Sequence, residues 1–403
     1  MRVKKQWLMK TGGLLALAVC LTIASPAAFA QNVFVDGNSY STSYGNQHNN
    51  YSSVGTVTVN YAGYMRNRDT GRIASATVNS GGSLSNMGTA HIESVNVDDS
   101  GNLYNYDNAR IESVISIGGL NNTDNAHVES ITVGGSWGYF ENDREATIGS
   151  ATINGWKSAN YGSATIRSVT INGGGLNNYN YAHIETATLN GGWLSNYGNA
   201  TIGSVTVKGG ELWNRGSTTI GTMTLSGGTV ENGSRINQMA YAEGIYSGTY
   251  NGQTGTVGTL TLAGNSAGNT GNWGTIENLQ FADDGSGTLT ITAGPPLTRS
   301  AAFSFTCDIQ PTESVNFDHA NICIDLAGFE EEGTAFSLAD IFGGLDVSGT
   351  LNSLSIGGEQ FKSVGSDWVF TFDGNSWNSD SIPEPATMSL LALGGLALSR
   401  RRK

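Results

Sequence analysis

The chain of 403 residues has few charged residues, few prolines and few cysteines. Charged residues make up only 13%, about half the usual share, so an ordinary helical enzyme fold is disfavoured. The net charge of −13 disfavours nucleic acid as a partner, because phosphates are bound by clustered lysine and arginine. Intrinsic disorder is disfavoured as well, since 38% of the residues are apolar and β-branched residues recur at regular positions.

Sequence motifs of catalysis and metal binding are also missing. No Gly-x-Ser-x-Gly sequence is accompanied by a suitable His and Asp, and neither a His-x-x-x-His zinc pair nor a phosphate-binding glycine loop is present. The sequence therefore predicts no metal site and no cofactor. The acidic runs Asp98-Asp99, Asp283-Asp284 and Glu330-Glu331-Glu332 are interpreted as solvated turns, with weak Ca2+ binding as the alternative.

Residues 1–30 have the three parts of a secretory signal peptide. A basic stretch precedes an apolar core from Leu14 to Ile23, and Ala28 and Ala30 form a small-residue cleavage site. Export through the Sec machinery and cleavage before Gln31 are therefore predicted, with an uncleaved anchor as the alternative.

After export the protein would be in an oxidising compartment, where cysteines commonly form disulfides. The two cysteines outside the signal peptide, Cys307 and Cys323, are therefore predicted to form a disulfide, with two free buried thiols as the alternative.

The C-terminal residues 383–403 also have three consecutive parts. Pro383-Glu384-Pro385 precedes an apolar run from Ala386 to Leu398, which is shorter than the roughly 20 residues that cross a membrane comfortably. The cations that follow would stay on the cytoplasmic side; they are Arg400, Arg401, Arg402 and Lys403. Together these parts resemble the PEP-CTERM sorting signal of Gram-negative-type bacteria, apart from Ser399, where an apolar residue is usual.

This resemblance implies a route and no activity. In that family an exosortase cleaves near the Pro-Glu-Pro and releases or transfers the protein to the surface or the extracellular matrix. The resemblance therefore implies an exosortase-like partner and transient anchoring in the inner membrane through a short hydrophobic helix in residues 383–403. A tail that is never cut, which would leave the protein in the membrane, is the alternative.

Between the two ends, the pattern Ala-x-Ile-x-Ser-Val-Thr-Val recurs ten times. Self-similarity at this short period is the signature of a solenoid. The aligned apolar residues are Val54, Ile73, Ile92, Ile111, Val128, Ile148, Ile166, Ile184, Ile202 and Ile220. An asparagine column with nearly the same spacing consists of Asn67, Asn86, Asn105, Asn122, Asn142, Asn160, Asn178, Asn196, Asn214 and Asn232.

Each repeat has three short stretches with the two-residue period of β-strands, separated by bends such as Gly203-Ser204 and Gly209-Gly210. Proline is absent from Gln31 to Gly294, as expected where nearly every N–H pairs with the next coil. Residues 31–293 are therefore predicted to form an all-β, single-stranded parallel β-helix of about 12 coils of ~18 residues. The repeats of residues 50–290 resemble the passenger repeats of autotransporter adhesins, and that resemblance implies a right-handed helix.

Regularity ends at Pro295-Pro296. Residues 294–375 contain strand-like pieces and are predicted to form a β-rich cap, because an open coil end would template aggregation. A short helix is predicted to start at Ser337, with Asp340 near its positive N-terminus. Residues 376–382 are interpreted as a polar linker to the sorting segment.

Three columns of the repeat are candidates for function. The asparagine column, including Asn160, Asn178, Asn196 and Asn214, is interpreted as an internal ladder, because a functional site rarely repeats ten times.

The second column lies on the outer side of the Ala-x-Ile-x stretch, where residues two apart share a face. The spacing predicts that His91 pairs with Glu93, Arg110 with Glu112 and His127 with Glu129. These are interpreted as exposed ion pairs, with a cation site or a carboxylate pair of raised pKa as alternatives. Glu93, Glu112 and Glu129 are thus the weak catalytic candidates, at the spacing used by retaining glycosidases.

The third candidate column is aromatic. Tyr161, Tyr179 and Tyr197 each follow a column asparagine and are predicted to stack in a ridge, with Trp193 and Trp213 nearby. Such faces suit sugar rings or a protein partner, and simple stabilisation of adjacent coils is the alternative.

The whole sequence favours an exported structural or adhesive protein of the cell surface or extracellular matrix, with extracellular polysaccharide as its partner. A polysaccharide hydrolase or lyase of the same architecture is the alternative, since fold alone does not decide function.

Overall fold

The computed structural model describes residues 32–35, 47–294, 304–307, 309–326, 335–342, 345–365 and 368–381. The predicted signal peptide with Ala28 and Ala30 lies outside these residues, as do residues 383–403 and their predicted helix. Among the described residues almost every element is a strand; the exceptions are a 3₁₀ turn, Ser266–Gly268, and one short helix, α1, Leu338–Ile341.

The strands are β1 (Asn32–Val35), β2 (Gln47–Asn50), β3 (Ser53–Val59), β4 (Tyr64–Asn67), β5 (Arg72–Val78), β6 (Ser83–Asn86), β7 (His91–Val97), β8 (Asn102–Asn105), β9 (Arg110–Ser116), β10 (Gly119–Asn122), β11 (His127–Val133), β12 (Tyr139–Asn142), β13 (Thr147–Ile153), β14 (Lys157–Asn160), β15 (Thr165–Ile171), β16 (Gly175–Asn180), β17 (His183–Leu189), β18 (Trp193–Gly198), β19 (Thr201–Val207), β20 (Glu211–Asn214), β21 (Thr219–Asn232), β22 (Arg235–Ser247), β23 (Thr249–Tyr250), β24 (Gln253–Thr254), β25 (Thr256–Leu262), β26 (Thr275–Phe281), β27 (Thr288–Gly294), β28 (Ser304–Cys307), β29 (Pro311–Asn316), β30 (Asn321–Asp325), β31 (Ala335–Ser337), β32 (Asp346–Ser348), β33 (Thr350–Ile356), β34 (Glu359–Gly365), β35 (Trp368–Phe372) and β36 (Trp377–Ser381).

The fold is an all-β parallel solenoid with about 13 turns, which confirms the predicted fold class. The chain divides into two compact units, the first being residues up to Asn237 with Ile245–Gly255, and the second Gln238–Gly244 with residues from Thr256. In the first unit, each coil contributes one seven-residue strand and one short strand, and each pairs in parallel with its equivalent in the next coil. Ile166 thus lies opposite Ile184, and Asn178 lies opposite Asn196. Handedness stays a prediction.

Each seven-residue strand bends in its middle. In β19, Ile202, Val205 and Val207 are buried, whereas the two residues between the first pair, Gly203 and Ser204, are not. Two consecutive outward residues require the strand to turn, which confirms the bend predicted there. A coil therefore has three sides, and the apolar residues of all three fill the interior.

The second unit keeps parallel stacking beyond the predicted boundary at residue 293. Strand β26 pairs in parallel with β29, and β27 pairs in parallel with β30, which pairs in parallel with β33. The region predicted as a cap therefore contains further coils, hidden in the sequence because the asparagine column and glycine pairs are lost. Strands β28 and β34 pair antiparallel with β27 and β33 at the two edges of this sheet. They thereby form hydrogen bonds with backbone groups of β27 and β33 that would otherwise be unpaired.

The predicted linker over residues 376–382 is wrong where the structure describes it. Trp377–Ser381 is strand β36, and it forms an antiparallel hairpin with β35. Trp377 is buried, with its ring 5.4 Å from that of Phe336 and 5.3 Å from that of Phe372. The helix prediction is confirmed, because Ser337 caps α1 and exchanges hydrogen bonds with Asp340.

The predicted disulfide is also wrong, because the structure does not join Cys307 to Cys323. Cys307 lies on β28 opposite Ile291 of β27, whereas Cys323 lies on β30 opposite Thr290 of β27. The two cysteines are thus separated by a whole strand, about 10 Å across the sheet, and they belong to opposite faces because Thr290 and Ile291 are adjacent. A disulfide needs Cα atoms within about 7 Å.

The asparagine column is a continuous hydrogen-bonded ladder in the buried interior of the first unit. Each Nδ2 donates to the Oδ1 of the next coil at 2.8–2.9 Å, from Asn50 through to Asn232. Most of these amides also donate to backbone carbonyls, as Asn178 does to Ala182 in its own turn at 3.5 Å and to Thr201, the first residue of β19 in the next coil, at 3.1 Å. The side chain thereby supplies a hydrogen-bond donor to backbone carbonyls in two successive coils.

From Asn67 to Asn214, each ladder asparagine is followed by a turn with one residue in the left-handed backbone conformation, and this residue is Gly, Asn or Asp in every turn except that of Arg144. Two residues after the asparagine, φ is positive in coil after coil, at Asp107 (61°), Gly162 (69°), Asn180 (62°) and Gly198 (77°). Only Gly, Asn and Asp adopt this conformation readily. Local backbone geometry and the buried ladder therefore favour the same turn.

Replacing Asn178 by Leu should lower the free energy of unfolding by roughly 2 kcal/mol or more, because buried partners lose a hydrogen bond. Asn196 Oδ1 and the Thr201 carbonyl would each lose a donor. Urea unfolding followed by circular dichroism measures the effect. Asn190→Leu is the matched control, since Asn190 donates to Asn172 in an equivalent amide pair that is exposed. Equal losses in both variants would contradict the assigned role of burial.

Candidate functional site

The outer face of the short-strand sheet, formed by the short strands from β2 to β20, presents the predicted aromatic residues. Residues two apart along a strand share this face, and coils repeat every ~4.8 Å. The structure places all five predicted side chains here: Tyr161, Tyr179, Tyr197, Trp193 and Trp213. We call this set the aromatic face.

The three tyrosines form a regular stack. Ring centroids are 5.2 Å apart between Tyr161 and Tyr179, with planes at 11°, and 5.1 Å apart between Tyr179 and Tyr197, with planes at 4°. Arg215 continues the column, with its guanidinium 5.2 Å from the Tyr197 ring. Its Nη1 also donates to the Tyr250 hydroxyl, and its Nη2 to Ser195 Oγ at 3.4 Å. The stack is therefore closed at one end by a fixed cation.

The hydroxyl groups of the stack stay protonated. Burial, with the nearby carboxylates of Asp143 and Glu141, raises the pKa of Tyr161 to about 12. Burial is also the main cause that raises the pKa of Tyr179 and of Tyr197. At physiological pH each tyrosine thus presents a neutral ring edge and a hydroxyl that can donate a hydrogen bond.

The two tryptophans lie beside the tyrosine stack. Trp193 and Trp213 have ring centroids 5.8 Å apart and planes at 32°. The Trp193 ring lies across the backbone of Gly175, one coil earlier, because a Cβ at Gly175 would be 1.9 Å from a ring atom. Glycine at position 175 therefore permits the position of this indole.

Two further tryptophans were not among the predicted residues. Trp137 and Trp156 lie in successive turns that precede short strands, with 65% and 57% of their surface exposed. Their ring centroids are 5.7 Å apart. The sequence signal was available, since each follows the glycine of a turn (Gly135 and Gly155), where the other repeats have small or polar residues.

The charged column lies on the outer side of the long strands, but its pairs differ from the prediction. His91 Nε2 lies 3.1 Å from Glu112 Oε1, and Arg110 Nη2 lies 3.0 Å from Glu129 Oε2, so both reach the next coil. Only His127 pairs within its own coil, with Nε2 3.0 Å from Glu129 Oε2. Glu93 takes part in none of the ion pairs found among the described residues. Long side chains lean between coils, which sequence spacing alone does not show.

Glu129 is in contact with the side chains of His127 and Arg110, and both affect the pKa of its carboxyl group. The hydrogen bond from His127, followed by the charges of His127 and Arg110, lowers the pKa of Glu129. This direction is opposite to the raised pKa that an acid catalyst needs. The column therefore has the properties of an exposed ion-pair network.

No group of three or more His, Cys, Asp or Glu side chains able to hold a metal is found in the described part of the chain. Asp284 accepts hydrogen bonds from Ser286, as in a polar turn, and Glu330, Glu331 and Glu332 lie outside the described residues. No helix in the described ranges has the length and apolar character needed to cross a membrane.

The family model of the PEP-CTERM protein-sorting motif matches residues 381–403, which confirms the predicted sorting segment. This motif indicates export and exosortase-dependent sorting to the cell surface in bacteria. No curated protein and no solved structure matches the chain.

Glu129→Gln should lower the melting temperature only slightly at about pH 7, because exposed ion pairs stabilise little. Since folding lowers the pKa of Glu129, its contribution is present above the usual value of 4.5 and is lost as the pH falls through the lowered value. The difference between variant and wild type should thus shrink as the pH falls below the usual value and the carboxyl group becomes protonated. Thermal unfolding across this range checks it, with the unpaired Glu93→Gln as control. A difference that persists at low pH would contradict the ion-pair assignment.

Proposed function

We propose that this protein is an exported structural or adhesive protein that holds extracellular polysaccharide against its aromatic face. The observation that carries the proposal is the aromatic face itself, with three stacked tyrosines and two tryptophans on one side of a rigid sheet. The sorting motif supports it, because it indicates a route to the cell surface, where polysaccharide is met.

The geometry suits a polymer better than a single small ligand. Equivalent rings recur at 5.1–5.2 Å along the solenoid, so a sugar chain lying along the axis meets the same chemistry at each coil. Aromatic side chains offer large contact area, and the protonated tyrosine hydroxyls supply hydrogen bonds at the edge. Several weak contacts of this kind add up along a polymer without any deep pocket.

We propose no catalytic role. The pKa of Glu129 is lowered by its contacts with His127 and Arg110, Glu112 lies against His91, and Glu93 takes part in none of the ion pairs of the described residues. The repeats up to Asn232 also carry no long insertion that would wall a cleft, as β-helix enzymes commonly need. Export through the Sec machinery, transient inner-membrane anchoring and final location in the matrix complete the proposal.

Binding to the polysaccharide of the producing organism should depend on the tyrosine stack. The exported protein, purified and mixed with that polymer, should migrate with it on size-exclusion chromatography without shortening it. Replacing Tyr161, Tyr179 and Tyr197 by Ala should weaken binding at least tenfold, since one lost ring contact costs about 1 kcal/mol. Tyr181→Ala is the control, because Tyr181 is exposed in the same coil and makes no ring contact among the described residues.

Two results would overturn this proposal. An equal loss of polysaccharide binding in the Tyr181 variant would mean that binding does not depend specifically on the stacked rings. Shortening of the polymer would mean that the protein is an enzyme, and Glu93, Glu112 and Glu129 would then be the first residues to replace.

Deleting residues 383–403 should abolish normal processing and surface delivery, because the deletion removes the sorting motif. Fractionation of producing cells, with the protein detected in membrane, surface and medium, measures the outcome. Replacing Arg400, Arg401, Arg402 and Lys403 by Gln tests the cationic part separately, with Lys362→Gln as a control outside the motif. Unchanged processing in the deletion variant would contradict the sorting role.

A further inference from the structure

An open groove of about 520 Å3 lies at the turns that lead into the short strands β12 to β18, next to the aromatic face. Its lining includes Trp156, Lys157 and Trp193, with Asn154, Ser136 and the glycines of the turns. Trp137 does not line the groove, but its ring centroid lies 5.7 Å from that of Trp156.

The floor of the groove is backbone without side chains. At Gly174, φ is +65°, and a Cβ there would be 1.5 Å from the Gly155 carbonyl oxygen. At Gly135, φ is +70°, which again disfavours any residue with a side chain. These glycines let the backbones of successive turns stack closely, and the bottom of the groove is formed by the backbone of Gly135, Gly155 and Gly174.

The walls are aromatic and their positions are constrained. Trp156 stands in the turn, largely exposed, and Trp193 is held across Gly175 on the opposite side. An exposed indole is costly to leave in water, and tryptophan faces pack well on the apolar faces of sugar rings. The groove therefore has the shape and surface of a subsite for one or two sugar units.

The polar groups of the groove are hydrogen-bond donors. Lys157 carries the only charge among the lining residues, and it takes part in none of the ion pairs found in the described ranges. This ammonium group is a local positive charge on a chain whose net charge of −13 repels polyanions at long range, so an acidic group would be attracted here only by close contact with Lys157. Asn154 Oδ1 accepts from Asn172 at 2.8 Å, but its Nδ2 has no acceptor among the described residues, because the preceding coil has Gly134 at this position.

We infer that this groove binds a uronic-acid unit of an acidic polysaccharide. The sugar ring stacks on Trp156 or Trp193, and its carboxylate is bound by the ammonium group of Lys157 and the amide of Asn154. Charge-assisted hydrogen bonds of this kind are stronger than neutral ones and give selectivity for the ionised sugar. The inference rests on the proposed function and names the chemical class of the polymer.

The test compares polygalacturonate with its methyl ester, because the two share a backbone and differ in charge. The exported protein should bind polygalacturonate about tenfold more tightly than the ester, measured by calorimetry. Lys157→Gln should remove most of this preference while leaving binding of the ester unchanged. Trp156→Ala should weaken binding of both polymers, and Trp193→Ala should do the same. Lys208→Gln, an exposed lysine in an equivalent turn outside the groove, is the control.

The possible results separate this inference from the proposed function. Equal affinity for the two polymers, no binding of polygalacturonate, or equal loss in the Lys208 variant would overturn the inference. Binding of the organism's own polysaccharide that depends on the tyrosine stack would leave the proposed function standing in each case. Unfolding curves of all variants, which should match that of wild type, show that a loss of binding is not a loss of fold.

Discussion

The buried hydrogen bond between asparagine side chains of successive coils is the interaction on which the first unit depends. An amide is the right group for this place, because it donates and accepts at once and so can repeat without end. From Asn50 to Asn232 the side chains bond to one another in an unbroken series, and most of them also donate to backbone carbonyls. A single apolar replacement would leave partners on both sides unsatisfied in a low-dielectric interior, where such groups are costly.

This ladder also determines what the outside can present. Once Asn178 lies opposite Asn196, the residues that follow them, Tyr179 and Tyr197, must lie opposite each other as well. The strand register that the buried asparagines set therefore also aligns equivalent surface residues of successive coils in columns. The tyrosine stack owes its 5.1 Å spacing to the coil repeat, and the ring contacts in turn add stability between coils.

The alignment of equivalent residues in columns produces different chemistry on the outer faces of the long strands and of the short strands. On the long-strand side it brings Glu129 within reach of His127 and Arg110, and the pKa of Glu129 falls because the hydrogen bond from His127 and the interaction with Arg110 stabilise its carboxylate. On the short-strand side it brings rings together, and burial raises the pKa of Tyr161 because the phenolate loses solvation. One face thus presents exposed ion pairs, and the other presents protonated tyrosines and tryptophans with charged side chains at its borders.

The sequence by itself determined the repeat, the ladder asparagines, the bend at Gly203-Ser204, the cap of the helix at Ser337 and the sorting motif, because each depends on residues close in the chain or on exact periodicity. Only the tertiary structure decided what depends on side-chain reach and strand order. It decided that Arg110 pairs with Glu129 of the next coil, and that β27 separates Cys307 from Cys323. The tertiary structure also buries Trp377 in a hairpin. It places Trp156, Lys157 and Trp193 around one groove, and these three residues meet only because neighbouring coils stack.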